Sequence, residues 1–151
     1  MAKTFLLSLL IFLVVALWAL LSWIGKVPLE SLRKTEIILG GKTFKVDVAE
    51  SFSTRATGLS GRSVLGEDEG MLFIFPFPGI YSFWMRGMNF PLDIVWISGN
   101  RIVGIAENVP VSSGLSLPTY SPPGPIDKVV ELNAGVASKL ELKIGDSISI
   151  K

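Results

Sequence analysis

Arg86 and Asp93 are the only charged residues in "YSFWMRGMNFPLDIVWI", which runs from Tyr81 to Ile97. A charge isolated among large apolar side chains is solvated at a loop, paired with an opposite charge, or committed to a ligand. The two residues end and begin successive strand-like stretches, with six residues between them. A strand-loop-strand layout brings both to one end of a β structure. As a salt bridge they would fix the intervening loop. Unpaired, and walled by Trp84, Met85, Met88 and Phe90, Arg86 would receive a small anionic ligand or a peptide in a mostly apolar pocket with few polar anchors.

Other polar residues invite the same question. Glu131 lies in "VVELNAG", where alternation sets it on the face opposite Val130 and Leu132. If that face is interior, it needs a partner, and Arg55 or Arg86 are the candidates. Arg55 and Arg62 are seven residues apart, two turns if one helix carries both. Glu107 and Tyr120 flank a long Pro-rich loop and are placed to line the same end. The expected ligand-binding set is therefore Arg55, Trp84, Arg86, Asp93, Tyr120 and Glu131. An enzyme reading would pair Asp93 with Glu131 or Glu107, as in carboxylate-dependent glycoside hydrolysis. The chain has 13 acids, so some such pair can always be nominated. The sequence therefore leaves catalytic residues unassigned. The acidic turn "EDEG" (Glu67 to Gly70) lacks an EF-hand ligand pattern and reads as a turn before a strand, so no metal site is expected.

The chain contains no cysteine and no histidine. Ser-His-Asp triads, Cys-His proteases, His-ligated zinc hydrolases and disulfides are thereby excluded. No cofactor-binding motif is present. From Ile37 onward there are ten Lys/Arg and eleven Asp/Glu, with no basic stripe of the kind that holds nucleic acid.

Several elements could position these residues. "KTFKVDVA" (Lys42 to Ala49) alternates with a period of two, and Gly40-Gly41 pairs it with "TEIIL" as a hairpin. Ser51 or Ser53 caps a helix reaching about Leu59. Further strands are expected at Met71 to Phe75, "YSFWM", "DIVWI", "RIVGIAENV", "KVVEL" and the C-terminal end, with a tight turn at Gly99-Asn100. A second short helix, "NAGVASKLEL", takes Asn133 as its N-cap. Pro110 to Pro125 is a loop. This pattern predicts an all-β fold, a sandwich or barrel with two short helices.

The first part of the chain differs. Residues 4–25, "TFLLSLLIFLVVALWALLSWIG", hold no charge and are long enough to span a bilayer as a helix. Bulky Leu20, Leu21 and Trp23 stand where a signal peptidase would need small residues, and Trp18 and Trp23 sit where interfacial aromatics belong. An uncleaved anchor is expected, followed by a connector over 26–36 and a domain over 37–151. A short N-terminal tail before such a span is the signal-anchor layout, with the domain on the extracytoplasmic side of the cell membrane.

The stretches "TRATGLSGR", "DEGMLFIF", "FWMRGMNFPLDIVWI" and "VVELNAG" resemble, in order, the uncharacterised family called domain of unknown function 192. The resemblance covers most of the chain from Phe44 to Ile150 and implies a β-sandwich of jelly-roll type. Many members carry Lys at the place of Arg86, which implies a wanted positive charge without a strict need for a guanidinium fork. The resemblance brings no activity with it. The functional expectation is a membrane-anchored binding or accessory module. The alternatives are a carboxylate-dependent hydrolase, for example carbohydrate-active, and a structural partner of another envelope protein using Gly87 to Leu92 and Pro110 to Pro125 as contact surface.

Overall fold

The computed structural model describes residues 32–112 and 117–151; the apolar segment at 4–25 lies outside them. Among the described residues no helix is long and apolar enough to cross a membrane. The described residues form nine strands and two short helices, in order β1 (Lys34–Leu39), β2 (Lys42–Ala49), α1 (Phe52–Thr57), β3 (Glu69–Gly79), β4 (Phe83–Trp84), β5 (Leu92–Ser98), β6 (Arg101–Val109), β7 (Thr119–Tyr120), β8 (Ile126–Asn133), α2 (Val136–Lys139) and β9 (Ile148–Ile150). The β-rich class and the two short helices agree with the sequence pattern. β1 begins at Lys34, within the stretch read as a connector.

Seven strands form one sheet in the order β6-β5-β8-β3-β2-β1-β9, and β4 pairs with β7 in a separate ribbon. The expected stacking of two sheets thus gives way to one large curled sheet. The pairing of β2 with β3 is parallel, from Lys45↔Glu69 to Ala49↔Phe73. A hairpin cannot make that connection; residues 50–68, carrying α1, cross over one face instead. The sheet curls until its edges meet: Arg101 bridges Ser147, Ile102 N donates to Asp146 O (2.9 Å) and Ile148 N to Asn100 O (3.0 Å). Curling spares both edges from exposure.

Each face carries its own core. Phe44, Val46, Leu72, Val95, Ile97, Val130 and Leu132 fill the inside of the curl, where Ala137 and Leu142 join them. Met71, Phe73, Ile94, Trp96 and Val129 form the outer layer, covered by Leu59, Leu65, Met85 and Met88. Strands with a core on both faces read as continuous apolar runs, which is why "DIVWI" shows no alternation.

Asp93 is wholly buried and pairs across the sheet with Leu132, an inner-face residue. Its Oδ1 accepts from Asn108 N and its Oδ2 from Ala137 N, both at 2.7 Å. It thereby ties α2 to the left-handed bulge residue Asn108 (φ 52°). Arg86 lies exposed in the loop after β4, with Ser60 Oγ donating to its carbonyl (2.7 Å). Among the described residues its guanidinium makes no ion pair, so the Arg86–Asp93 bridge does not form. Two backbone N–H groups take the place that a guanidinium was expected to fill.

Asp93→Ala strands two buried N–H donors and should cost about 3 kcal/mol in urea unfolding, whereas Arg86→Ala should stay within about 0.5 kcal/mol. Equal losses from the two substitutions would mean that a bridge forms after all.

Candidate functional site

β8 lies between β3 and β5, with Glu131 opposite both Met71 and Ile94. Those two neighbours belong to the outer layer, so Glu131 faces outward from the curl, beneath whatever covers that face. The cover is built locally. Ser51 accepts from Thr54 N (3.1 Å) while Thr54 Oγ1 accepts from Ser51 N (3.0 Å), a capping box that starts α1 over the face. Gly58 ends the helix with φ 53°, a conformation that L side chains rarely adopt, and turns Leu59 down into the core. Gly61 N then donates to Gly87 O (2.8 Å) and Asn89 Nδ2 to Arg62 O (2.8 Å), docking residues 58–62 on the loop after β4.

Between this cover and the sheet lies a cavity of about 440 Å³, within the range of small-molecule sites. Its walls carry six aromatic rings, Phe52, Phe73, Phe75, Tyr81, Phe83 and Trp84, with Met88 beside them. The rings hold one another in place. Phe75 stacks on Tyr81 at 3.7 Å, and Phe83 meets Phe73 and Phe75 edge-on at 5.1 and 6.4 Å. Tyr81 Oη donates to Phe77 O (2.8 Å), so the ring offers the cavity its apolar body.

Two charged residues line this space, Arg55 and Glu131. Arg55 Nη1 donates to Glu50 O and to Ile74 O (3.0 Å), and the guanidinium sits 5.2 Å from the Phe75 ring centre. Nε and Nη2 of Arg55 make no hydrogen bond among the described residues. Glu131 is only 5% exposed, and its carboxyl has no hydrogen-bond or ion-pair partner among the described residues. Burial pushes it up to about 8, because desolvation penalises the charged form. At neutral pH it is mostly a neutral carboxylic acid, a hydrogen-bond and proton donor in apolar surroundings.

The expected set therefore divides. Arg55, Trp84 and Glu131 come together at the cavity. Tyr120 packs in the outer layer and pairs with Phe83, behind the wall. Arg86 and Asp93 do not line the cavity. Asp93 and Glu131 cannot act as a carboxylate pair, since their side chains leave opposite faces of the sheet, and Glu107 is exposed elsewhere. Asn133 does not cap α2, whose N-cap is Gly135 and which has no side-chain cap; the Asn133 Nδ2 donates to Leu65 O (3.1 Å) and Gly66 O (3.0 Å) instead. In the loop Gly87 to Leu92, Met88 and Leu92 turn inward. Arg62 pairs with Asp47, and in the acidic turn Asp68 pairs with Lys42 while Glu69 accepts from Gly66 N. Among the described residues, no three acids cluster as a metal would require. Phe52, Phe73, Phe75 and Phe83 were missed as site residues; four phenylalanines in three separate segments carry no shared spacing to reveal them.

The model of the DUF192 family, described as "Uncharacterized ACR", matches residues 35–150. The chain belongs to this family. A search of curated proteins gives no match. Two crystal structures are similar, each at 31% identity. One is a protein of unknown function from Novosphingobium aromaticivorans (TM-score 0.70, 81% of this chain and 89% of that one). The other comes from Sinorhizobium meliloti and is described provisionally as a transcription regulator (TM-score 0.71, 80% of this chain and 95% of that one).

The sign of the Glu131 effect on stability follows from its pKa. The folded state holds this proton up to about pH 8, while the ordinary value is 4.5. Stability contributed by the site is greatest below pH 4.5, declines as pH rises towards 8 by at most about 1.4 kcal/mol per unit, and levels off above. Denaturant titrations of residues 32–151 across that window should show the decline, and Glu131→Gln should flatten it. An undiminished slope in the variant would assign the titration to other groups.

Proposed function

We propose that this family member is a membrane-anchored binding module. It takes a small ligand, apolar in body and carrying a hydrogen-bond acceptor, into the cavity over Glu131. One observation carries the reading: a buried carboxyl without a partner faces a ring-lined space. An unsatisfied buried polar group costs roughly 1–3 kcal/mol, and a ligand that meets it converts that cost into affinity. With Glu131 neutral, both charged-type groups at the walls are donors, Arg55 through its remaining N–H groups and Glu131 through its acidic proton. An acceptor, either a carboxylate or a carbonyl or hydroxyl oxygen, matches them better than an ammonium does. The anionic ligand expected beside Arg86 is thus reassigned to Arg55. Residues 4–25 supply the anchor, and the signal-anchor layout puts the domain outside the cytoplasm.

A hydrolase with two carboxylates is less well supported, because Glu131 has no second acid at the cavity. Nucleic acid is a poor partner for a domain with balanced charge.

Three probes with one body separate these readings: 4-phenylbutyrate, 4-phenylbutanol and 4-phenylbutylamine, titrated into residues 32–151 and followed by thermal shift and NMR. The acid and the alcohol should raise Tm and shift resonances of Phe83 and Glu131. Ala56→Trp, which fills the cavity from the exposed helix α1, should abolish both effects. No binding by any probe, or the same binding by all three in wild type and variant, would refute the proposal.

A further inference from the structure

The cavity opens through a ring of exposed apolar side chains. Phe52 (83% exposed), Ile80 (58%) and Trp84 (49%) line it and also face outward, and Phe77 (74%) projects beside Pro76, another wall residue. These are the largest exposures of big apolar residues at one place in the domain. A contiguous patch of this kind marks an interaction surface.

The chain's own path argues for its occupant. β3 runs parallel to β2 and continues past it, so Phe75 to Gly79 project from the same end of the sheet at which β2 finishes. α1 begins there, and Arg55 ties that end together by donating to both Glu50 O and Ile74 O. The polypeptide also enters the domain there: Val48 N donates to Arg33 O (2.8 Å), and Arg33 pairs with Glu50 at 3.1 Å. Between Gly25 and Leu32 lie about seven residue steps, which extend no further than roughly 25 Å. A domain of about 120 residues is on the order of 35 Å across. Such a tether is too short to pass around the domain, so the chain length alone keeps the end it enters within that reach of Gly25.

We infer that the rim of Phe52, Phe77, Ile80 and Trp84 seats on the surface of the phospholipid bilayer and opens the cavity towards the lipid. The inference rests on the membrane-anchor reading above. Phe and Ile side chains enter the acyl boundary and Trp favours the headgroup level, the division seen in interfacial anchors. A cavity opening there would take its ligand from the bilayer rather than from water, which suits an apolar body carrying an acceptor.

The absence of cysteine makes the test direct. The full chain, reconstituted in phosphatidylcholine vesicles, receives one cysteine carrying a polarity-sensitive fluorophore. The position is either Ile80→Cys at the rim or Lys143→Cys, an exposed site next to Leu142, which packs on the β1–β2 turn at the far end of the sheet. Lipid spin-labelled on its acyl chain should quench the Ile80 position at least twofold and leave the Lys143 position unchanged. Replacing Phe52 and Phe77 by Ser should relieve the quenching. If the chain resists carbonate extraction yet the Ile80 position stays unquenched, the bilayer contact is refuted alone, and a protein partner becomes the better occupant of the rim. If carbonate strips the chain from the vesicles, the anchor falls and this contact falls with it.

Discussion

The middle of strand β8, from Val129 to Leu132, runs between two apolar layers and is buried on both faces. Val130 and Leu132 gain from this arrangement, and Glu131 between them does not. A carboxylate moved into such surroundings either finds donors, shifts its pKa, or is excluded by the fold. Here it shifts, because the pairing of β8 with β3 and β5 fixes the register on both sides and leaves the side chain no other direction. A one-residue slip would turn Glu131 into the interior of the curl and Val130 and Leu132 out of it. The apolar residues Val129, Val130 and Leu132 around it therefore pin Glu131 where its charge costs most. The cavity around it is the one feature of the outer face that offsets this cost.

Asp93 shows what the same functional group does when the backbone satisfies it. It stands on the adjacent strand, one residue from the position opposite Glu131, and it points to the other face. Two backbone N–H groups saturate its oxygens, and it joins β5, the bulge at Asn108 and the start of α2. The difference lies in the parity of one residue along a sheet, and it decides which acid is saturated by the backbone and which is left without a partner among the described residues.

The sequence disclosed the parts of this picture that are local. Alternation in "KTFKVDVA", the turns at Gly40-Gly41 and Gly99-Asn100, and the Ser51 cap all appear where short-range rules put them. The opposite facing of Glu131 and its neighbours was also legible, being a period-two property. The rest is set by contacts between distant segments. No local signal announces that β2 pairs with β3 in parallel, and that pairing turns a presumed stack of two sheets into one curled sheet. Asn133 looked like a cap because its neighbours suit a helix start, but the carbonyls of Leu65 and Gly66, more than sixty residues away, claim its amide. Arg86 drew attention through apolar neighbours. In the fold Met85 and Met88 turn inward, while Trp84 stays half-exposed and Arg86 is exposed.

Access to the cavity follows from how unevenly the fold is held. The floor is the centre of a seven-stranded sheet. The cover is a six-residue helix with no buried residue and a ribbon of two-residue strands. Segments with little buried area open locally at far lower cost than sheet centres. Arg55 ties α1 to the sheet by donating to Ile74 O (3.0 Å), while Gly61 to Gly87, Ser60 to Arg86, and Ser82 with Ser121 at 2.8 Å join parts of the cover to one another. Lifting α1 and the ribbon would uncover Glu131 without disturbing either β8 or the inner core. Movement of this weak layer would widen access to the cavity, while the strand that carries Glu131 keeps its place.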